Sequence, residues 1–469
     1  MSFPDLEQTI IALSTPPGIG AIGVIRLSGK DCISIVDEVF YGQNLKKVEG
    51  NTVHYGKIKD DAGEMIDECL ATVFRGPRSY TREDVIELSC HGSPYILDQI
   101  IKLFLKKGVR MAVPGEFTLR AFLKGQFDLS QAEAVADLIA SNSKASHDLA
   151  IDQMRGGFSR EIKELRQELI DFAALIELEL DFGEEDVEFA NRDKLKVLVS
   201  KIQMVIRKLI ESFQLGNVIK NGVTTVIAGR PNAGKSTLLN ALLNEDRAIV
   251  SDIAGTTRDT IEEVLNIKGI QFRLIDTAGI RKAQDEIEKI GVDKALEKIS
   301  SSSLVIYVFD VTESKPEDLW DDVEQFLQGS KLLTAGSKII FVANKMDLNP
   351  YTIPENYYQD DLIDHSNLIT ASALNRMNIE ALKDTIYNTV IENPDFQDQT
   401  IVSNSRHYDA LTKSNEALDA VMKGLNTGIT ADFVAMDIRQ SLHHLGEITG
   451  EIHTDDLLDS IFSRFCIGK

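Results

Sequence analysis

The chain has 469 residues, of which 43% are hydrophobic, and its formal net charge is −23. This length predicts about three domains, and the hydrophobic fraction is sufficient for packed cores. Nucleic-acid binders usually carry a basic patch, so the acidic composition gives no support for direct RNA binding and favours dependence on a partner protein.

The N-terminus and the cysteines indicate the compartment. Residues 1–10 are acidic and contain only a brief apolar run, so we expect neither a secretory signal nor a membrane span there, and we expect a cytoplasmic protein. The cysteines at positions 32, 69, 90 and 466 have no C-x-x-C spacing, which argues against a disulfide framework or a zinc site. Cys466, near the C-terminus, is a candidate reactive thiol, with a packing role as the equal alternative.

The first part of the chain predicts an α+β domain. In residues 9–125, short β-rich runs at 21–27, 69–74 and 85–89 alternate with glycine and proline turns and a few helices.

From Ser130 the pattern becomes helical. An acidic run at 181–188 is interpreted as a solvated loop, and a further helix is predicted at 192–213. Before that run, apolar residues recur at three- and four-residue spacing and form a stripe that needs a helical partner: Met154, Phe158, Ile162, Leu165, Leu169, Phe172 and Leu175.

A phosphate-binding loop follows an apolar run at 224–228. Residues 229–236 read GRPNAGKS, which fits G-x-x-x-x-G-K followed by Ser or Thr, and a helical stretch runs through 235–243. Such a turn directs backbone N–H groups and a helix N-terminus at an anionic phosphate chain. Lys235 is predicted to reach the terminal phosphates and Ser236 to ligate Mg²⁺. The predicted contacts of the loop are Asn232, Ala233, Gly234, Lys235, Ser236 and Thr237.

Further motifs occur in the order of a guanine-nucleotide site. Asp276 follows a strand and is predicted to hold the Mg²⁺ water shell, and the N–H of Gly279 can approach a γ-phosphate. Asp347 can accept two hydrogen bonds from guanine, whereas adenine would leave the buried charge unpaired, so we predict GTP rather than ATP. Apolar strands at 304–309 and 339–343 complete the pattern of a doubly wound sheet. The motifs are TTRD at 256–259, DTAG at 276–279, NKMD at 344–347 and SAL at 372–374.

The second phosphate motif lacks a water-orienting side chain. Many small GTPases place glutamine directly after this glycine, and here the position is Ile280. Either hydrolysis is extremely slow, or another residue and another positive charge stabilise the transition state.

The C-terminal part is helical again. We expect the helices of residues 407–461 to pack against those before residue 216, so that the GTP domain is inserted in one discontinuous helical domain. Their apolar stripe contains Phe433, Met436, Ile438, Leu442, Leu445 and Ile448. The predicted fold is multidomain α/β: an α+β domain at 1–125, helical parts at 126–215 and 395–469, and a Ras-like P-loop GTPase domain at 216–394.

The chain resembles the MnmE (TrmE) family of tRNA modification GTPases from end to end. The resemblance is carried by TPPGIGAIGVIRLSG at 15–29, PGEFTLRAFL at 114–123, DIAGTTRD at 252–259 and FCIGK at 465–469. It implies an N-terminal domain similar to the folate-binding domains of the glycine-cleavage T-protein, which forms a homodimer. It also implies a heterotetramer with a flavin-dependent partner, MnmG (GidA), that installs an aminomethyl or carboxymethylaminomethyl group on carbon five of the wobble uridine of tRNA.

The same resemblance implies how the GTP site works without glutamine. Family GTPase domains are similar to those that dimerise face to face around K⁺, which takes the place of an arginine finger. Asn232, Ser251, Ile253 and Thr256 match the K⁺ contacts, Thr257 matches the Mg²⁺ threonine, and Glu288 matches the glutamate that orients the attacking water. The other expected nucleotide contacts are Asp252, Ala254, Gly255, Thr277, Ala278, Asn344, Lys345, Ser372, Ala373 and Leu374.

For a one-carbon folate, 5-formyltetrahydrofolate or methylene-tetrahydrofolate, the resemblance implies contacts from the matching positions Arg26, Glu87 and Lys469, and Gln126 stands at a further contact position. The family often has lysine where Gln126 stands. Cys466 is similar to a cysteine considered important for tRNA modification.

Two other classes share the GTP motifs. A ribosome-assembly factor similar to Era or Der would be expected to add an RNA-binding module, but the sequence has no GXXG-containing KH segment and no basic tail. A septin- or dynamin-like GTPase would be expected to add a long coiled coil or a basic membrane-binding helix, and the sequence has neither. Folate binding by residues 1–125 would distinguish a tRNA modification GTPase from both of these alternatives.

Overall fold

The computed structural model describes residues 5–181, 192–246, 262–275, 302–330, 337–359, 362–391, 400–427 and 429–468. The chain divides into two units, each built from separate segments. The first contains Met1–Ala140, Ala150–Lys208 and Asp409–Lys469, and the second contains Ser141–Leu149 and Leu209–Tyr408. Among the described residues, no helix combines the length and the hydropathy that a bilayer span requires.

A seven-stranded sheet forms the N-terminal part of the first unit. Its strands are β1 (Ile10–Leu13), β2 (Ile22–Ser28), β3 (Phe40–Gly42), β4 (Thr52–Lys59), β5 (Met65–Phe74), β6 (Val85–His91) and β7 (Arg110–Met111). They lie in the order β3-β4-β5-β6-β2-β1-β7, and the neighbours are antiparallel except β1 and β7. The register pairs Arg26 of β2 with Glu87 of β6.

One face of this sheet is covered by helices α1 (Cys32–Asp37) and α2 (Pro94–Lys106). Helix α2 buries Leu97, Ile100, Leu103 and Phe104, at the spacing of one face of an α-helix. Because successive strand residues point to opposite sides, the residues between the core positions, Arg26 and Glu87 included, share the other face.

Helices α3 (Glu116–Leu123), α4 (Leu129–Ala140), α5 (Lys144–Met154), α6 (Gly157–Asp181) and α7 (Arg192–Asn221) follow. The C-terminal helices are α11 (Ser405–Thr427), which begins at the end of the second unit, α12 (Ala431–Thr449) and α13 (Asp455–Phe462). Helix α6 packs on α12, and Arg166 donates from Nε to the carbonyl of Leu442 at 3.3 Å. Helices before and after the GTP domain therefore form one discontinuous helical domain, as predicted.

The apolar stripes differ from the predicted ones at three positions. Leu175, Phe433 and Met436 are 42%, 58% and 57% exposed, whereas Ala173 and Ile176 on α6 and Val434 and Ala435 on α12 are buried. Both sets fit a helical period. The side that a helix buries is fixed by the helix it packs against, which the spacing alone does not specify.

The second unit is a doubly wound α/β domain, as predicted. Its elements are β8 (Val223–Ala228), α8 (Lys235–Asp246), β9 (Glu262–Ile267), β10 (Ile270–Ile275), β11 (Leu304–Asp310), α9 (Pro316–Ser330), β12 (Lys338–Asn344), β13 (Leu368–Thr370) and α10 (Ile379–Val390). The strand order is β13-β12-β11-β8-β10-β9, with β9 antiparallel to β10 and the other neighbours parallel. The carboxyl ends of β8, β11 and β12 thus lie side by side.

Candidate guanine-nucleotide site

The phosphate loop leaves β8 through a glycine whose backbone conformation and surroundings disfavour any side chain. Gly229 has a φ of +132°, and a Cβ built on it would lie 2.0 Å from the carbonyl oxygen of Val308 on β11. The loop therefore passes in contact with the neighbouring strand, and this close approach sets its path toward α8.

The loop then makes a turn with left-handed residues at Asn232 (φ 66°) and Gly234 (φ 95°). A Cβ on Gly234 would lie 2.2 Å from Nδ2 of Asn344. Helix α8 begins at Lys235, so the N–H groups of its first turn open onto this bend, and Ser236 and Thr237 in that turn are exposed. Glycine at two of the three positive-φ positions, backbone N–H groups and a lysine fit a phosphate chain.

Asn344 connects three segments of the site. Its side chain is buried, with 2% exposed. Nδ2 donates to the carbonyl of Ala233 in the phosphate loop at 2.8 Å, and Oδ1 accepts from the N–H of Ala373 at 3.0 Å. The sequence predicts Asn344 as a nucleotide contact but does not reveal this bracing role, because its partners lie 111 and 29 residues away.

The segment at the end of β12 carries the predicted guanine motif, Asn344–Asp347. Lys345 adopts a left-handed φ of 66°, and Asp347 is half-buried. In the next loop Ser372 is buried and exchanges two backbone hydrogen bonds with Met377, whereas Leu374 is 78% exposed. These motif residues come together at the carboxyl edge of the sheet.

Two ion pairs in the site were not predicted. Lys345 binds Asp310, the last residue of β11, and Arg230 of the phosphate loop binds Asp322 of α9. Burial disfavours the charge of Asp310, yet hydrogen bonds from Lys345 and Thr312 hold the pKa of this carboxyl below its usual value. An aspartate ending a buried strand, VIYVFD, is the sequence signal that could have identified Asp310.

Lys235 lies across the phosphate loop. Its ammonium donates to the carbonyls of Gly229 at 2.6 Å and Arg230 at 2.7 Å. The positive charge of Lys235 therefore lies beside the backbone turn that is suited to binding the phosphates.

Several predicted site residues lie outside the described part of the chain, and their roles stay predictions. They are Ser251, Asp252, Ile253, Ala254, Gly255, Thr256, Thr257, Asp276, Thr277, Ala278, Gly279, Ile280, Glu288 and Lys469.

A second cluster lies on the N-terminal sheet. Arg26 donates from Nε to Oε1 of Glu87 at 2.8 Å and from Nη1 to the carbonyl of Gly468 at 3.0 Å. Its guanidinium carbon lies 5.7 Å from the ring centres of both Tyr80 and Phe117. The sequence does not reveal that either ring lies near Arg26, because no motif links Tyr80 or Phe117 to β2.

The C-terminal tail is fitted into this region. A Cβ on Gly468 would lie 2.6 Å from the carbonyl oxygen of Leu13. Cys466 is exposed, and its carbonyl accepts a hydrogen bond from the N–H of Gly115 at 3.4 Å. The exposure removes the packing alternative for its thiol. Gln126, a predicted folate contact, accepts a hydrogen bond from Nε of Arg82 at 2.9 Å, and its folate role stays a prediction.

A glycine-rich loop between a parallel strand and a helix, braced by an Asn-Lys-x-Asp loop at the same sheet edge, defines a P-loop GTPase. The family model described as the MnmE helical domain matches residues 129–466, and that of the GTP-binding protein TrmE N-terminus matches residues 9–126. The chain belongs to the MnmE family and is a GTPase of tRNA modification.

Relatives match along the whole chain. The tRNA modification GTPase MnmE of Cytophaga hutchinsonii is 54% identical, over 98% of this chain and 98% of that protein. The protein of the same name from Christiangramia forsetii is 51% identical, over 99% of this chain and 100% of that protein. A crystal structure of a single-residue variant of Aquifex aeolicus Era bound to GDP.AlF4- is 27% identical, with a TM-score of 0.28, over 42% of this chain and 66% of that chain.

Proposed function

We propose that this GTPase hydrolyses GTP when two GTP domains meet face to face around K⁺. The observation that carries the proposal is the conformation of Asn232, whose left-handed φ of 66° and exposed side chain leave its amide at the surface of the phosphate loop. Amide, hydroxyl and carbonyl oxygens suit a hard cation, and Asn232, Ser251, Ile253 and Thr256 supply such donors. A cation there supplies the positive charge that an arginine finger supplies elsewhere.

The remaining chemistry is assigned to residues of the chain. Lys235 offsets phosphate charge beside the loop, and the hydroxyls of Ser236 and Thr257 are the donors for Mg²⁺, with Asp276 holding its water shell. Asp347 reads the guanine edge. Glu288 orients the attacking water, since Ile280 has no polar atom with which to do so.

The test compares GTP turnover in KCl and NaCl at equal ionic strength. We expect turnover to rise steeply in KCl, together with dimerisation of the GTP domains measured with a transition-state analogue. Asn232→Ala should remove the difference between the salts and keep GDP affinity, because the side chain faces the cation. Equal wild-type rates in both salts would overturn the proposal.

For the N-terminal domain we propose a one-carbon tetrahydrofolate site at Arg26, Glu87, Gln126 and Lys469. The support is a guanidinium whose carbon lies 5.7 Å from each of two aromatic ring centres, and which hydrogen-bonds a carboxylate and the C-terminal tail. The rings offer flat surfaces to a pterin, and the charged pair offers donors and acceptors to its polar edge. The one-carbon unit, from 5-formyltetrahydrofolate or methylene-tetrahydrofolate, is then used at carbon five of the wobble uridine.

We further propose a cytoplasmic homodimer that joins a flavin-dependent partner, MnmG (GidA), in a heterotetramer acting on tRNA. The outer face of the N-terminal sheet supports the homodimer, because Val53, Tyr55 and Leu70 are 58%, 61% and 44% exposed on neighbouring strands. A contiguous apolar area of this kind is typical of an interaction surface. The net charge of −23 of this chain supports a partner subunit, because a more basic flavin-dependent partner would supply the affinity for RNA.

A further inference from the structure

Asp310 lies directly beside the loop that is proposed to read guanine. Strands β11 and β12 are parallel, with Asp310 opposite Asn344 in the register. The N–H of Val311 donates to the carbonyl of Asn344 at 3.2 Å. The end of β11 is therefore tied to the start of the Asn344–Asp347 loop by backbone as well as by side chain.

The carboxylate of Asp310 is buried and fully engaged. Its side chain is 5% exposed. Oδ1 accepts from the N–H of Thr312 at 2.9 Å and from its hydroxyl at 2.7 Å, and Oδ2 binds the ammonium of Lys345. A buried carboxylate is stable when it is paired and hydrogen-bonded. Lys345 is its counter-charge, so releasing Lys345 would leave this charge unpaired.

Lys345 in turn occupies a strained backbone conformation. Its φ of 66° is unfavourable for a residue with a side chain, and such a conformation persists where surrounding contacts impose it. Lys345 directly follows Asn344, which braces the phosphate loop, and comes two residues before Asp347. Fixing Lys345 thus fixes both of these residues.

We propose that Asp310 is a positioning residue for guanine specificity: through Lys345 it holds the Asn344–Asp347 loop in the geometry that reads the base. The inference rests on the proposed guanine role of Asp347. Asp310 makes no contact with the nucleotide in this proposal and affects selectivity only through the loop.

The test uses Asp310→Asn, which keeps the shape and removes the charge. We expect GDP to bind roughly tenfold more weakly, a change that corresponds to about 1.4 kcal/mol. IDP lacks the 2-amino group and should be affected less, so the ratio of the IDP and GDP dissociation constants should fall. Asp384→Asn is the matched control, because Asp384 pairs with Lys268 on the surface of the same unit and should leave both constants unchanged.

A second pair of variants covers the case in which Asp310→Asn does not fold. Thr312→Val removes one hydrogen bond to the carboxylate and should lower the same ratio by a smaller factor, whereas Thr312→Ser keeps the hydroxyl and should preserve it. Equal weakening of GDP and IDP, or an unchanged ratio in Thr312→Val, would overturn the inference. If the wild-type protein itself binds GDP and IDP equally, the proposed role of Asp347 fails instead.

Discussion

At the scale of single residues, Arg26 shows how one side chain joins distant parts of the chain. It pairs with Glu87 on the neighbouring strand and with the carbonyl of Gly468 at the other end of the sequence. The Arg26 side chain is 18% exposed and its guanidinium carbon lies 5.7 Å from two ring centres, so water screens its charge little. A guanidinium held in this way is suited to binding a ligand rather than to contacting only solvent.

We expect Arg26→Ala to weaken binding of 5-formyltetrahydrofolate at least tenfold, because charge-assisted hydrogen bonds are worth about 1.5–3 kcal/mol. Isothermal titration of the whole protein measures this. GTP turnover should be retained. Lys102→Ala removes the cation of an exposed helix ion pair in the same unit and serves as the control. Undiminished folate binding in Arg26→Ala would exclude the site.

At the scale of elements, helix α7 carries the chain into the inserted domain and residues 400–403 carry it out. The hydroxyl of Ser212 accepts a hydrogen bond from the N–H of Val402 at 3.0 Å, and Phe213 stacks on Tyr408 with 4.5 Å between ring centres. The segments that lead into and out of the inserted domain therefore lie side by side, as an insertion requires. Gly216 makes this possible, because a Cβ there would lie 2.1 Å from the carbonyl oxygen of Val402.

We expect Gly216→Ala to destabilise the second unit by roughly 1–3 kcal/mol, since the methyl group would push against backbone that is fixed by Ser212. The single tryptophan, Trp320, lies in this unit, and its fluorescence in a urea titration reports the unfolding.

The control is Gly424→Ala, also within a helix, where the added methyl group would make ordinary contact with Val434 at 3.4 Å. That change should leave the Trp320 transition in place and stabilise α11 by about 0.5–1 kcal/mol. If Gly216→Ala unfolds at the same urea concentration as the wild type, the close contact between Gly216 and Val402 is contradicted.

At the scale of the whole molecule, a largely buried network of charged side chains joins parts of the first unit that are distant in sequence. Glu116 is fully buried and accepts hydrogen bonds from Arg110 at 2.5 Å and Arg120 at 2.8 Å. Arg120, itself 1% exposed, also binds Glu83 and the carbonyl of Gln8. The network connects α3 to the N-terminal sheet and to the segment before it.

This network gives the first unit a specific pH dependence. Burial raises the pKa of Glu116, but the hydrogen bonds from Arg110, Val113 and Arg120 outweigh it and hold the pKa below the ordinary 4.5. A lowered folded-state pKa adds stability that is complete above pH 4.5 and is lost as the pH falls through the folded value. We therefore expect the free energy of unfolding to decline in acid.

Glu116→Gln tests this at neutral pH, where removing one partner of a buried pair costs about 3–5 kcal/mol. Urea unfolding monitored by peptide-level pulse labelling reports the unfolding of the first unit separately from that of the second. The variant should also lose part of the acid-dependent decline. Glu38→Gln breaks an exposed pair with Lys107 and should change little. A Glu116→Gln protein as stable as the wild type would contradict the argument.

The sequence by itself determined the fold class and the GTPase motifs, because a phosphate loop is local: its glycines, lysine and serine are contiguous, and their order specifies a strand, a turn and a helix. It did not determine which face of α12 is buried, as Phe433 and Met436 illustrate, or the partners of Asn344, Lys345 and Arg26. Those depend on contacts between residues tens to hundreds of positions apart, which only folding brings together. The tertiary structure therefore decided which charges are buried and paired, and with them the geometry of both sites.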